Sequence, residues 1–465
     1  MLVIISDLHL KDGTSGTTIT ADAFRIFAEW LCDTAFRASW RADGKYRPVE
    51  QIDLVLLGDV FDQIRSARWL QEDDGEPVDV RPWSDPQSEA FIRKIRSINT
   101  ATLEHNAQAF KILKRIGQGQ LVTLPPASRA GVPDDRTSTR LSVNVRIFYM
   151  VGNHDWFFYL PGGAYDSMRQ EVIDHLGLVN STRPFPHDPF ENPELAETLD
   201  RHKVFARHGD IFDAMNYDSE RGRNAATLGD ALAVELLDRF PFDVRQRLGD
   251  ELPQAFSEGL KELANVRPAL VTPMWIGDLI DKYAKTPQQV KAIQNVWIDL
   301  VERFLDLDFV RSHDRRFALD IVDAMEGILR LSRGFHFDAI NRVMGWAKDK
   351  FWRGKISYAQ YALEEAAFLN RTSNYIVYGH THCYEVVPLE VRRQGDKFIE
   401  QVYVNSGTWH SFHDLVLGNP AKPKFIGHHV MSYLAFFKDD ERSGRSFESW
   451  SGSLSKDLSK YNFRV

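Results

Sequence analysis

The chain has 465 residues, and 57 lysines and arginines against 65 aspartates and glutamates give it a formal net charge of −8. A hydrophobic content of 43% with 26% charged residues is typical of globular proteins and excludes a disordered chain, a collagen-like repeat or a coiled-coil rod. The acidic balance disfavours a dedicated nucleic-acid binder. No transmembrane segment or signal peptide is predicted, and two cysteines are too few for a disulfide framework, so we expect a cytoplasmic protein.

Short apolar segments predict six buried strands, and five of these strands run into polar clusters. The strands are expected at residues 1–6, 53–57, 143–151, 203–207, 375–378 and 402–405. The clusters after the first five read Asp-Leu-His, Gly-Asp-Val-Phe-Asp, Gly-Asn-His-Asp, His-Gly-Asp and Gly-His-Thr-His. Polar residues at the ends of buried strands are typical of active sites in α/β folds, so we expect the five clusters to converge on one face.

Helical periodicity fills much of the remaining sequence. Helices are predicted at residues 21–40, 88–116, 225–240, 290–309, 316–331 and 358–369, and a turn-rich loop at 117–140. The stretch 214–370 shows little strand alternation and is long enough for a core of its own, which predicts an all-helical insertion. A last strand is expected at 429–437, before a polar, serine-rich end that we expect to be loosely ordered.

The polar clusters carry the residue types of a metal site. Residues two apart point to the same side of an extended strand, so Asp7 and His9 can hold one ion together, and so can His380 and His382. Mixed imidazole and carboxylate donors suit Mn²⁺, Fe or Zn²⁺ better than Ca²⁺. Each cluster alone is weak evidence, because a Gly-Asp turn or an Asp-x-His is common, but five in this order are far from a chance pattern.

With these clusters the sequence resembles the calcineurin-like metallophosphoesterase superfamily. The signature of that superfamily runs D-x-H, G-D-x-x-D, G-N-H-D/E, H and G-H-x-H, and all five blocks are intact over about residues 1–212 and 372–410. The resemblance implies an α/β fold in which two sheets form a sandwich flanked by helices. We therefore expect a catalytic domain in two parts, 1–212 and 372–465, interrupted by an all-helical cap domain at 213–371.

The resemblance also implies two divalent metal ions, with Mn²⁺ expected first and Fe or Zn²⁺ as alternatives. Carried over by motif, the ligands of the first ion are Asp7, His9, Asp59 and His382. Those of the second ion are Asp59, Asn153, His208 and His380. Asp59 is expected to bridge the two ions, because a carboxylate has two oxygens that can bind separate cations. A hydroxide between the ions is then expected to attack phosphorus in line.

Four other residues have expected roles around these ligands. His154 is similar to the family's histidine that protonates the leaving oxygen or stabilises its charge, and Asp155 is expected to orient the imidazole of His154. Asp62 is expected to lie behind the ligands and hold a ligand histidine. Asp210 is equally an acceptor behind the ligands and a residue of a simple turn.

The expected activity is hydrolysis of a phosphoester or phosphoanhydride in a small-molecule or lipid-linked substrate. The pattern around Val60, Phe61 and Gly209 looks like that of the bacterial UDP-2,3-diacylglucosamine pyrophosphatase branch, whose members are far shorter and carry only a small helical lid. A nuclease acting on DNA or RNA is an alternative. A catalytically silent scaffold is another, although every ligand position is filled.

The insertion leaves and re-enters the catalytic domain beside His208 and His380. This placement predicts a cap at the rim of the site, which contacts the part of the substrate that is not phosphate. The alternative is a remote stabilising or oligomerising module.

Overall fold

The computed structural model describes residues 1–71, 80–267, 272–314, 358–394, 397–415 and 425–455. Over these ranges the chain is a mixed α/β protein with a seven-stranded sheet, a four-stranded sheet and a two-stranded ribbon. The predicted helix at 316–331 lies outside the described residues, as does the serine-rich end from residue 456 onward.

The predicted strands are present, and several more join them. The strands are β1 (Leu2–Ile5), β2 (Gln51–Leu57), β3 (Thr123–Leu124), β4 (Leu141–Ser142), β5 (Asn144–Met150), β6 (Val204–Ala206), β7 (Val266–Arg267), β8 (Tyr375–Tyr378), β9 (Glu385–Gln394), β10 (Lys397–Asn405), β11 (His410–Leu415), β12 (Phe425–Phe436) and β13 (Phe447–Ser455). The loop predicted at 117–140 is confirmed except for Gly117, which ends a helix, and the two residues of β3, which pair with β4.

The helices follow the predicted periodicity with local breaks. They are α1 (Ala21–Ala38), α2 (Glu89–His105), α3 (Ala107–Gly117), α4 (Gly163–Leu176), α5 (Pro193–Arg201), α6 (Leu228–Leu232) with a π-helical continuation (Ala233–Asp238), α7 (Arg239–Leu248), α8 (Gln254–Lys261), α9 (Thr272–Tyr283), α10 (Pro287–Asp306), α11 (Asp308–Asp314), α12 (Ala359–Ala362) and α13 (Ala366–Leu369). The helix predicted at 88–116 is broken at Asn106, whose Nδ2 donates to the carbonyl oxygens of Lys11 at 2.7 Å and Thr102 at 2.9 Å.

The strand order places the carboxyl ends of the motif-bearing strands together. In the large sheet the order is β5-β2-β1-β12-β11-β7, with β13 also paired to β12. Strands β5, β2 and β1 are parallel, whereas β12 is antiparallel to β1. The small sheet has the order β6-β8-β10-β9, and its first three strands are parallel. Parallel strands end at the same edge of their sheet, so each sheet presents its polar loops on one side.

Helices and sheets stack in four layers. One face of the large sheet, with Val3 and Ile5 of β1, packs against α1, α3 and α4. The other face, with Leu2 and Ile4, shares a core with Val377 of the small sheet. Because side chains alternate along a strand, one apolar run serves both faces. Helices α12 and α13 cover the far face of the small sheet.

The expectation of a loosely ordered end is wrong for Phe447–Ser455, which forms β13 and pairs along β12. The physical reason is Trp450, whose ring centroid lies 3.8 Å from that of Trp30 on α1 and 6.1 Å from that of Tyr433 on β12. This aromatic contact fixes a stretch whose serine content alone indicates a loop.

The described part of the insertion has an apolar core of its own, around Phe240, Trp297 and Phe304. It is not all-helical, because β7 lies within it and pairs with β11 of the large sheet. Its residues also reach the loops after β1 and β2: Asn265 Oδ1 accepts from Lys11 Nζ at 2.8 Å, and Asp238 Oδ1 lies 3.3 Å from Nε of Arg65. Among the described residues, no helix combines the length and apolar character that a membrane crossing requires.

Candidate metal centre

Hydrogen bonds join the loops that carry the five motifs, and one of them, from Gln63 N to His154 O at 3.2 Å, joins the loop after β2 to the loop after β5. Asp7 N donates to Gly58 O at 3.1 Å, which ties the loop after β1 to the loop after β2. Gly379 N donates to His208 O at 2.8 Å, which ties the corresponding loops of the small sheet. Thr408 Oγ1 donates to Asp7 O at 2.8 Å and connects the two sheets. The motifs, which are up to 375 residues apart in sequence (382 − 7), therefore meet at one end of the fold.

Five predicted ligands have left-handed backbone conformations. The φ angles are 55° at Asp7, 45° at His9, 52° at Asp59, 66° at His380 and 58° at His382. Among the described residues, nine non-glycine positions have a positive φ, and these five are more than half of them. Such conformations cost about 1–3 kcal/mol each and cluster at functional sites. The loops therefore adopt strained backbone conformations that bring these side chains together.

Two motif glycines are required by close approach of the ligands. A Cβ on Gly58 would lie 2.5 Å from the Nδ1 atom of His208, and a Cβ on Gly379 would lie 2.6 Å from Oδ2 of Asp7. Any larger residue at either position would displace a predicted ligand, which explains why glycine precedes the acidic and histidine residues in these motifs.

The ligands predicted for the first ion form one compact group. One ligand atom from each of Asp7, His9, Asp59 and His382 lies within 4.8 Å of all the others. The Nε2 atoms of His9 and His382 are 2.9 Å apart. His382 Nε2 is also 3.3 Å from Asp7 Oδ1, and His9 Nε2 is 3.6 Å from Asp59 Oδ2.

The ligands predicted for the second ion form a group beside it. Asp59, His208 and His380 satisfy the same 4.8 Å condition, so Asp59 belongs to both groups. The amide oxygen Oδ1 of Asn153 completes the set, at 3.3 Å from His208 Nε2 and 3.0 Å from His380 Nδ1. Asp59 Oδ2 is 3.2 Å from His208 Nε2.

Hydrogen bonds to the Nδ1 atoms of two predicted ligand histidines leave their Nε2 atoms as the acceptors that face the groups. His208 Nδ1 lies 2.9 Å from Leu57 O, and His9 Nδ1 lies 3.3 Å from Asp62 Oδ2. A carbonyl or an ionised carboxylate only accepts, so each Nδ1 carries a proton and each Nε2 is left to bind a metal. Imidazole, carboxylate and amide donors in this number suit Mn²⁺, Fe or Zn²⁺. The residues present therefore fit divalent metal ions.

The two groups differ in the protons they hold without metal. Burial lowers the pKa of His9, and it lowers the pKa of His382 to about 4, so both are neutral near pH 7. Burial also acts to lower the pKa of His208, but the charges of Asp59 and Asp7 outweigh it and raise that pKa to about 9. His208 in the second group is therefore protonated at neutral pH and has to lose its proton to bind a metal.

This difference predicts that metal uptake by the second group depends on pH and uptake by the first does not. Between pH 7 and 9 the affinity of the second group should rise about tenfold per pH unit, because one proton is displaced from His208. Calorimetric Mn²⁺ titrations in buffers of different ionisation enthalpy measure the protons released at each step. Equal proton release at both steps, or none at either, would contradict the assignment.

His154 lies beside the two groups and is held by Asp62. The imidazole Nδ1 of His154 is 2.6 Å from Asp62 Oδ1, while the other oxygen of Asp62 faces His9. The prediction that Asp62 holds a ligand histidine agrees with this contact. Although His9, Asp62 and His154 are close enough to hold an ion, both ring nitrogens point at the same carboxylate, as in an ordinary hydrogen-bonded triad. Burial acts to lower the pKa of His154, but the charges of Asp62 and Asp59 raise it to about 9.

The prediction that Asp155 orients the imidazole of His154 is wrong, because Asp62 occupies that position. The carboxylate of Asp155 accepts instead from Gly152 N at 2.6 Å, Tyr149 Oη at 2.7 Å and Val60 N at 2.8 Å. Asp155 is fully buried, and burial together with the charge of Asp59 raises its pKa to about 6. Asp155 thus joins the loop after β5 to the loop after β2.

Replacement of Asp155 by alanine is expected to destabilise the metal-free protein by about 3–5 kcal/mol, because three buried donors lose their acceptor at once. Urea unfolding of the metal-free protein measures this loss. The matched control is Asp174→Ala, at an exposed position of α4, which should change the free energy of unfolding by less than about 0.5 kcal/mol. A loss below about 1 kcal/mol for Asp155→Ala would contradict the structural role.

Asp210 is an acceptor, but its partners are not the predicted ligands. It forms an ion pair with Arg223 of the insertion, and its Oδ1 also lies 3.3 Å from Nε2 of His187. The guanidinium of Arg223 also lies over the ring of Tyr217, 5.0 Å from its centroid. Asp210 begins the short 3₁₀ helix Asp210–Phe212, so it is both part of a turn and the anchor of a buried cation from the insertion.

Sequence reasoning missed two residues at the second group. The Oδ2 atom of Asp213 lies 3.0 Å from His380 Nε2, and Asn216 Oδ1 accepts from Asn153 Nδ2 at 3.4 Å. The available signal was their position a few residues after His208, which nothing in composition or periodicity distinguishes from a turn.

The sequence was also compared with protein-family models and with curated proteins. No family model and no curated protein matches it.

Proposed function

We propose that the chain is a dinuclear metal-dependent phosphoesterase with the sandwich and helical cap of the calcineurin-like metallophosphoesterases. The observation that carries this proposal is the pair of ligand groups that share Asp59. The motifs assign the same residues to the same two groups from sequence alone. Two free cysteines, Cys32 and Cys383, support a reducing, cytoplasmic location.

Two bound divalent ions, Mn²⁺ in the first instance, would supply positive charge that attracts a phosphate and makes water a better nucleophile at neutral pH. The protein's own residues would hold the ions and orient the substrate. Asp7 and Asp59 contribute two negative charges, fewer than two divalent ions carry, so the site keeps a net attraction for anions. The left-handed loops fix these carboxylates before a substrate arrives.

His154 is placed to serve the leaving group. Asp62 holds Nδ1 of His154, so Nε2 is the ring nitrogen that can carry a proton to a departing oxygen. The side chain of His154 is 22% exposed, whereas those of Asp7 and Asp59 are at most 1% exposed. Among these groups, His154 is therefore the one that a substrate at the opening meets first.

The insertion is proposed to act as the cap. Arg267 of β7 lies over the ring of Phe412, 5.2 Å from its centroid, and that ring centroid is 6.3 Å from the ring centroid of His382. A cation of the insertion thus stands one side chain away from a ligand of the first group. This position supports a substrate whose remaining part, beyond the phosphate that is cleaved, is anionic.

The test is a panel of phosphomonoesters, phosphodiesters and nucleoside diphosphate esters assayed with Mn²⁺, Fe²⁺ and Zn²⁺. We expect metal-dependent hydrolysis of at least one class, abolished by EDTA and restored by Mn²⁺. Single- and double-stranded DNA and RNA belong in the same panel, because cleavage of nucleic acid alone would favour the nuclease alternative. The absence of hydrolysis by protein that contains two metal ions would favour a binding scaffold.

A further inference from the structure

A chain of hydrogen bonds links two ligands of the second group through residues at the start of the insertion. His380 Nε2 lies 3.0 Å from Asp213 Oδ2, and the same oxygen accepts from Asn216 Nδ2 at 2.8 Å. Asn216 Oδ1 in turn accepts from Asn153 Nδ2 at 3.4 Å. The chain therefore runs from His380 through Asp213 and Asn216 to Asn153.

The direction of every bond in this chain follows from one residue. The carboxylate of Asp213 only accepts, so His380 carries its proton on Nε2, and Asn216 turns its amino group toward Asp213. That orientation leaves Asn216 Oδ1 free to accept from the amino group of Asn153. As a result, Nδ1 of His380 and Oδ1 of Asn153 face the same point without protons, 3.0 Å apart.

The turn that carries these residues is fixed by the insertion. Asp213 Oδ1 accepts from Met215 N at 2.9 Å, which closes the turn locally. Gly229 N, in the first turn of α6, donates to Met215 O at 2.7 Å. A Cβ on Gly229 would collide with Asn216 Oδ1, so helix and turn are in close contact. The base of the insertion thus supports the residues that contact His380 and Asn153.

We propose that Asp213 and Asn216 are positioning residues that set the orientation of His380 and Asn153 and so the affinity for the second ion. The proposal rests on the proposed function, because it assumes that His380 and Asn153 bind a metal. Partners behind metal ligands fix the tautomer of a histidine, and their loss typically lowers metal affinity 10- to 100-fold. The first group should be unaffected, since this chain of hydrogen bonds contacts His380 and Asn153, which are predicted ligands of the second ion.

The decisive variant is Asp213→Asn, which keeps the shape of the side chain but offers a donor as well as an acceptor. Its amino group can face His380 Nε2, which moves the imidazole proton to Nδ1, where the metal has to bind. Calorimetric Mn²⁺ titration should then show the first binding step unchanged and the second weakened about 10- to 100-fold. Electron paramagnetic resonance with two equivalents of Mn²⁺ per chain should show a coupled pair of ions in the unmodified protein and isolated Mn²⁺ in Asp213→Asn.

Two further variants separate positioning from a general structural effect. Asn216→Ala should weaken the second step less than Asp213→Asn, because the tautomer of His380 is preserved. Asp218→Asn is the matched control: it lies in the same segment, and its Oδ1 accepts from Glu220 N and Arg221 N. This control should bind both ions with the affinities of the unmodified protein.

The outcomes distinguish the two proposals. Binding of fewer than two ions by the unmodified protein would overturn the proposed function and this inference with it. Two ions in the unmodified protein, with unchanged second-step affinity in both Asp213→Asn and Asn216→Ala, would overturn the positioning role alone. An equal weakening of both steps in Asp213→Asn would also overturn it, because a general loss of structure affects both groups.

Discussion

Asp59→Asn is expected to remove dinuclear metal binding and to lower kcat by at least about 10⁴-fold. Asp59 is the residue common to both ligand groups, and its Oδ2 lies 3.6 Å from His9 Nε2 and 3.2 Å from His208 Nε2. The other oxygen, Oδ1, accepts from His154 N at 2.8 Å, so one charged oxygen faces both groups rather than one oxygen facing each. An amide oxygen carries no net charge and is therefore a poor bridge between two cations. Metal content per chain and turnover of the best substrate measure both effects.

The matched control for this variant is Asp53→Asn. Asp53 lies on the same strand, β2, is 3% exposed and pairs with Arg146 at 2.7 Å. It stands at the opposite end of that strand from Asp59, so its loss should lower stability without changing metal content. Two ions per chain retained in Asp59→Asn at unchanged affinity would show that Asp59 does not bridge.

His154→Ala is expected to keep both metals and to lose about 10²- to 10⁴-fold in kcat, the usual contribution of a general acid. The loss should shrink for an aryl phosphate with an activated leaving group such as p-nitrophenolate, which departs without a proton. Comparison of kcat across a series of leaving groups, together with metal content, provides the measurement.

Asp62→Asn tests the same role of His154 through its hydrogen-bond partner. The charge of Asp62 raises the pKa of the His154 imidazole, and the substitution removes that charge. The pKa of His154 should therefore fall, and the protonated form should be lost at a lower pH. The control for His154→Ala is His175→Ala, a histidine on the surface of α4, which should leave kcat unchanged. An equal loss for good and poor leaving groups in His154→Ala would rule out proton donation.

Most of the two groups of candidate ligands could be predicted because their residues directly follow parallel strands. An apolar run ending in Asp7, Asp59 or His380 identifies both the strand and the edge at which it stops. Parallel pairing of β1 with β2, and of β6 with β8, then brings those edges together without further information. The local pattern was therefore sufficient wherever a side chain acts at the end of its own strand.

The remaining contacts depend on packing between distant segments, which local pattern does not contain. Asp155 follows His154 in sequence, yet its carboxylate faces Tyr149 and Val60, while Asp62, 92 residues away, holds the imidazole. Asp213 has the same character, because its role requires that β8 bring His380 beside it. Such assignments follow from adjacency in the fold and not from adjacency in the chain.

The missed strands have a related cause. Strand β11 reads His-Ser-Phe-His-Asp-Leu, which is too polar to show the alternation of a half-buried strand. It is strand only because β12 pairs with it on one side and β7 on the other. The sequence of β13 likewise shows no strand pattern, and the contact between the rings of Trp450 and Trp30 is visible only in the structure.

The short strand β7 also places part of the insertion along the edge of the large sheet. Val266 and Arg267 pair with His413 and Asp414, so a part of the outer side of β11 is closed by the insertion. An open strand border offers unpaired N–H and C=O groups to other molecules and promotes aggregation. We therefore expect a chain without the insertion to expose β11 and to aggregate more readily, so a loss of activity in that chain would reflect lower solubility as well as lost substrate contacts.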